Sequence, residues 1–167
     1  MKLIGVFLIM VSGLMLGVTA SKRLDNRQKF LRQYISFINQ IKTQIEYNGS
    51  SLAVIFSLCN VDKPFSVFVS DMINNLDSNN TFINSWNNSV GNLDKSLGLK
   101  SDDISIINEF GQGLGISDIT GQISHCNLHS ALAEEHYQDA KDCMTKKSKL
   151  YKTMGLMLGI AISIVII

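Results

Sequence analysis

The sequence predicts an all-α protein: a bundle of about six helices flanked by two hydrophobic helices long enough to cross a membrane. Apolar residues recur at alternating steps of three and four along most of the chain, the period of a buried helix face, and alternating strand patterns are absent. The chain holds a single proline, so long helices can run unbroken. Both ends are uncharged apolar runs, each bordered on its inner side by basic residues. With 167 residues, there is room for one compact body at 21–152 between spans at 1–20 and 153–167.

From Leu3 to Ala20 there are 18 residues without a charged side chain. As a helix this run is about 27 Å long at ~1.5 Å per residue, enough to span a hydrocarbon core. A secretory signal peptide is the rival reading, because Val18-Thr19-Ala20 resembles a small-residue cleavage site; the chain would then be a secreted helical binding module. Lys2 is the lone basic side chain before the run, and a basic cluster starts at Lys22, which favours a retained span. Next, Phe30, Leu31, Tyr34, Ile35, Phe37, Ile38, Ile41 and Ile45 recur at helical spacing, with Asn48-Gly49 as a stop. Leu52 to Cys59 reads as a short apolar helix. Pro64 suits the first position of a third helix carrying Phe65, Phe68, Val69, Met72, Ile73 and Leu76, and Asp77 to Asn80 reads as a turn. Phe82, Trp86, Val90 and Leu93 mark a fourth helix. Ser101, with Asp102 and Asp103 at the positive dipole end, starts a fifth.

Gly115 is placed to end that fifth helix in a left-handed conformation, and Asp118 to cap the sixth. From Asp118 to Ile167 no proline intervenes, so one helix or two abutting ones are expected. Its seam is Ile119, Ile123, Cys126, Ser130, Ala133, Tyr137, Ala140 and Met144. Beyond it come Lys146, Lys147, Lys149 and Lys152, and the closing run from Tyr151 to Ile167 carries no charged side chain after Lys152, which snorkels at its start.

Charge is segregated along the chain. Ser21 to Arg32 holds Lys22, Arg23, Arg27, Lys29 and Arg32 against Asp25, and Lys141 to Lys152 holds five lysines against Asp142. Between them, Gln33 to Ala140 has four basic residues and twelve acidic ones. That pattern lacks a nucleic-acid stripe and puts positive charge where anionic headgroups attract it. Basic collars mark the cytoplasmic side, so both collars face the cytoplasm, the body is cytoplasmic and both termini lie outside. Each span carries the same pentapeptide, Gly13-Leu14-Met15-Leu16-Gly17 and Gly155-Leu156-Met157-Leu158-Gly159. This small-xxx-small pattern allows close helix packing within one chain or between copies, and so a homo-oligomer.

Chemistry-bearing groups are sparse. Cys59, Cys126 and Cys143 lack CxxC spacing and read as reduced thiols. His125, His129, His136 and Cys143 share one helical flank, but over about 27 Å at ~1.5 Å per residue at most His125 and His129 could share an ion, and that pair lacks a partner such as the glutamate of HExxH, so they read as the edge of a packing seam. Adjacent Asp102 and Asp103, like Glu134 and Glu135, turn to different faces and read as solvated charges. No phosphate-binding loop and no acid, base and nucleophile set occurs, so the sequence predicts no enzyme and no cofactor.

Phe110-Gly111-x-x-Leu114-Gly115-x-x-Asp118-x-x-x-Gln122 resembles the FGxxLGxxDxxxQ segment of the stage III sporulation protein AB family. Trp86, Gln44-Ile45-x-Tyr47 leading to Leu52, and a lysine-flanked final span with paired glycines extend the likeness over nearly the whole chain. Gln44 stands where the family commonly has glutamate, and Ser50-Ser51-Leu52 where it has Thr-Pro-Leu. The resemblance implies a non-enzymatic membrane component of the sporulation channel complex between mother cell and forespore, needed for forespore development. It also implies a body similar to the F-type cytoplasmic domain of the type II secretion platform. By that analogy the partners are the complex's ATPase, stage III sporulation protein AA, and its other membrane subunits. Trp86, Phe110, Gly111, Leu114, Gly115, Asp118 and Gln122 are then the motif residues and candidate partner contacts.

Overall fold

The computed structural model describes the backbone of residues 2–48, 52–77 and 81–166. It describes side chains for 11–47, 54–56, 58–76, 81–151, 153, 154 and 157. Six helices follow in order: α1 (Lys2–Asn48), α2 (Leu52–Leu58), α3 (Phe65–Asp77), α4 (Phe82–Gly91), α5 (Ser101–Gly113) and α6 (Ile119–Ile166), with a 3-10 turn at Lys95–Leu97. No strand occurs among the described residues. The turns expected after Asn48 and at 78–80 lie outside the described residues.

The fold is built on α1 and α6, which run antiparallel along each other. Ser21 meets Ser148, and Arg27 meets Asp139. Neither helix breaks where body and apolar end join, so each is a single rod of about 70 Å at ~1.5 Å per residue. Among the described residues no helix is long and apolar enough to cross a membrane. The expected spans, 1–20 and 153–167, fall largely on residues whose side chains lie outside the description, Gly155 and Gly159 included.

The shorter helices pack beside the body half of this pair and enclose Trp86, which is 0% exposed. Phe37, Phe56, Phe68, Phe82 and Phe110 surround its indole at centroid distances of 5.0 to 6.4 Å. Its Nε1–H donates to the Ile107 carbonyl at 2.9 Å, which removes the cost of burying that donor.

Several boundaries differ from expectation. Pro64 lies in the turn before α3 rather than at its first position, and the Lys63–Pro64 bond is cis. Leu93 falls after α4, which Thr81 caps by accepting the Asn84 N–H at 3.3 Å. The 3-10 turn went unforeseen. Its starting cap is Asp94, which accepts the Ser96 N–H at 2.7 Å, and its end is Gly98 at φ 68°. Of the expected seam of α6, Cys126, Ala133 and Ala140 are buried, but Gln122 and His129 join them and Ile119 is exposed, so the buried face is turned partly toward His129.

Candidate functional site

The motif residues converge where α5 turns into α6. Phe110 is buried against Trp86 and Tyr34. A Cβ on Gly111 would come within 2.3 Å of the Trp86 indole, so the residue beside that ring must be glycine. Leu114 is buried and Gly115 adopts φ 79°, the left-handed stop that the sequence predicts. Gln122 then ties the corner: its Oε1 accepts the Gly115 N–H at 3.0 Å, and its Nε2 donates to the Gly113 carbonyl at 3.2 Å and Ser117 Oγ at 3.0 Å. Asp118 caps α6 as expected, its Oδ1 accepting the Gly121 N–H at 2.9 Å.

This arrangement is a joint. The Gln122 amide and the Asp118 carboxylate serve backbone groups that a helix end would otherwise leave without partners, and Trp86 and Phe110 belong to the core. The motif aims α6, and what it presents to solvent is its rim, with Ile116 74% exposed and Ile119 beside it. In the antiparallel pair the end of α1 reaches the same level, and there Tyr47 is 79% exposed. Exposed Glu46 and Asp118 flank these side chains in sequence, so the end of the body farthest from the collars is apolar with acidic neighbours.

The histidines separate. His125 lies flat on Phe110, its Nε2 2.9 Å from the Phe110 carbonyl oxygen, and a Cβ on Gly113 would meet its ring at 2.2 Å. His129 is buried rather than at the seam's edge, its ring 4.4 Å from that of His125 and its Nδ1 without a partner. Burial, then the neighbouring His125, pull its pKa below the ordinary value, so it is neutral at pH 7. His136 reaches Asp103, and Cys143 lies near Asp139. Among the described residues no group of three such ligands is placed to hold a metal ion. Burial pushes the Cys59 and Cys126 thiols up to about 11.

A charge cluster that sequence reasoning missed joins α1, α5 and α6. Arg27 is 3% exposed and Asp103 0%, so the first is no headgroup-facing collar residue and the second no solvated charge. Arg27 grips Asp103 through Nε at 2.6 Å and Nη2 at 2.9 Å, and reaches Asp139 through Nη1 at 2.9 Å. The Lys100 N–H and His136 Nδ1 also donate to Asp103, at 2.8 and 2.7 Å, and Lys100 Nζ donates to Asp139 at 2.7 Å. Burial alone would raise the Asp103 pKa; the Arg27 fork, the Lys100 amide and His136 outweigh it and bring the carboxyl below its ordinary value. Lys100, then Arg27, hold Asp139 at about 2. The signals were present: Arg27 is in phase with Phe30, Leu31 and Tyr34 on the buried stripe, and Asp103 occupies the third position of α5, where a carboxylate reaches back to the cap.

An open cleft of about 410 Å³ lies between α3, α4 and the 3-10 turn, with Lys63, Val67, Asp71, Asn92 and Leu93 on its walls. Both of its carboxylates are engaged: Asp71 accepts the Asn92 amide at 3.3 Å and Asp94 the Ser96 N–H at 2.7 Å.

Residues 2–167 match the family model for stage III sporulation protein AB. Stage III sporulation protein AB of Bacillus subtilis (strain 168) is 26% identical over 166 residues, covering 96% of this chain and 95% of that protein. A solved structure titled stage III sporulation protein AB superposes with a TM-score of 0.62 at 23% identity, covering 72% of this chain and 97% of the other, which establishes likeness of fold. The chain belongs to the stage III sporulation protein AB family.

Proposed function

We propose that this chain is a non-enzymatic membrane adaptor of the sporulation channel complex between mother cell and forespore. Helices through 1–20 and 153–167 hold it in the mother-cell membrane with both termini outside. The cytoplasmic body, which resembles the F-type domain of the type II secretion platform, docks the complex's ATPase, stage III sporulation protein AA. One observation carries the membrane part. Where α1 and α6 leave the body, Leu14, Met15, Leu16 and Val18 on one helix and Leu150, Met154 and Met157 on the other turn outward and are exposed. The hydroxyls of Thr19 and Thr153 at that level donate to carbonyls of their own helices, Met15 at 2.8 Å and Lys149 at 3.0 Å. Apolar sides with self-satisfied hydroxyls suit hydrocarbon and suit water poorly.

For docking, the end of the body farthest from the collars supplies large apolar anchors among carboxylates, a surface that fits a partner with a basic, partly apolar face. The α5–α6 joint beneath it fixes the direction of α6, so force on that end passes along one unbroken helix toward the membrane.

The test is retention of the ATPase by the full chain in detergent, comparing wild type with Tyr47→Ser/Ile116→Ser. Wild type retains the ATPase, and the variant, altered only at exposed positions, loses it by tenfold or more, as for hot-spot anchors worth about 2 kcal/mol. Equal retention by both proteins, or by neither, contradicts docking at this end.

A further inference from the structure

We propose that the level at which α1 and α6 leave the body is a binding site for the phosphate of an anionic phospholipid, with Lys22 and Lys149 as its cations. Ser21 Oγ and Ser148 Oγ lie 2.6 Å apart, so these residues face each other across the helix pair. Because both helices are right-handed and antiparallel, the residue after Ser21 and the residue after Ser148 turn to the same flank. Lys22 and Lys149 therefore stand side by side, offset by about 3 Å along the axis at ~1.5 Å per residue.

Both lysines are exposed, and among the described residues neither forms an ion pair. The nearest carboxylates in sequence are engaged: Asp25 holds Lys29 at 2.7 Å and Asp142 holds Lys146 at 3.6 Å. Two adjacent ammonium groups repel unless an anion lies between them. Exposed Val18, four residues before Lys22 and so one turn toward the apolar end on the same flank, lies where an acyl chain of the same lipid would run. A headgroup with a phosphate and no cation of its own satisfies both lysines. A zwitterionic headgroup brings a third positive charge to them.

This site rests on the reading of 1–20 and 153–167 as membrane spans. The full chain, purified in neutral detergent, is titrated with short-chain phosphatidylglycerol and, separately, phosphatidylcholine, with bound lipid read by native mass spectrometry. Phosphatidylglycerol binds in preference, and Lys22→Gln/Lys149→Gln weakens it about twenty-five-fold, from roughly fivefold per surface cation. Lys63→Gln/Lys95→Gln, on the body, leaves it unchanged, and millimolar inorganic phosphate does not displace the lipid. Equal binding of the two lipids, unaltered binding by Lys22→Gln/Lys149→Gln, or displacement by inorganic phosphate overturns the site. Alkaline extraction of cell membranes separates this from the membrane reading. A chain that stays in the pellet but binds both lipids alike loses only the headgroup site, whereas a chain released by alkali loses the spans as well.

Discussion

Replacing Asp103 by asparagine removes the anion on which three helices converge. The carboxylate accepts four donors, two from Arg27, one from the Lys100 backbone and one from His136. Asparagine keeps one acceptor oxygen and turns an NH2 group toward the remaining donors. Arg27 is then a buried cation whose other carboxylate partner, Asp139, is half exposed. Breaking a buried pair at one partner costs about 3–5 kcal/mol. For a chain of this size that corresponds to a fall of about 6–20 °C in Tm, at roughly 2–4 °C per kcal/mol. Far-UV circular dichroism of the full chain in detergent measures it. The acid limb carries a second signature. The folded-state pKa of Asp103 lies below its unfolded value, so its stabilisation is complete above pH ~3.9 and is lost as pH falls through the folded value. Asp103→Asn flattens that limb, leaving the part due to Asp139, which is lost between about pH 4 and about 2. Arg27→Met/Asp103→Leu, which removes both charges, is less destabilised than Asp103→Asn alone. A Tm for Asp103→Asn within about 1 °C of wild type, far less than a broken buried pair demands, would refute this reasoning.

Two further substitutions probe the joint and its seam. Gly111→Ala drives a methyl into the Trp86 ring, which five aromatic neighbours and the Ile107 hydrogen bond hold in place. It costs about 1–3 kcal/mol, read as a lower Tm with tryptophan emission shifted to the red. His129 has a folded-state pKa below its ordinary 6.5, so the folded chain binds fewer protons there than the unfolded one. Stability is therefore whole above pH 6.5 and declines as pH falls below it. His129→Leu shallows the slope of the urea midpoint between pH 7 and 5, and an unchanged slope would remove His129 from that dependence.

What could be read from the sequence was local. The buried stripe of α1, the left-handed Gly115 and the Asp118 cap each depend on residues within about two turns of one another, and all three stand as expected. Arg27 and Asp103 are 76 residues apart. Each carried a local signal, Arg27 its phase with the buried stripe and Asp103 its place at the third position of α5, but nothing local paired them. Asp102 and Asp103 look equivalent in the chain, yet one is exposed and the other sealed, because only Asp103 points from α5 back at α1. In the seam of α6, Cys126, Ala133 and Ala140 are buried as expected, while Ile119 and His129 exchange places for a similar reason. Ile119 is a better core residue than His129 by composition, but the joint at Gly115 and Gln122 sets the rotation with which α6 enters, and that turns His129 inward. The motif itself was legible as a pattern, whereas its role as a joint became readable only with Trp86 set against Gly111.

The proposed topology hangs one helical body on the cytoplasmic side of a membrane from two continuous helices. A single reporter thiol tests it most directly: Glu135→Cys in a Cys143→Ser background, with Cys59 and Cys126 left in place because burial holds them near a pKa of about 11 and slow to react. Position 135 is exposed on the body half of α6. A membrane-impermeant maleimide should leave this cysteine unlabelled in intact sporulating cells and label it fully once the cells are opened. Full labelling in intact cells would put the body on the other side and contradict the account.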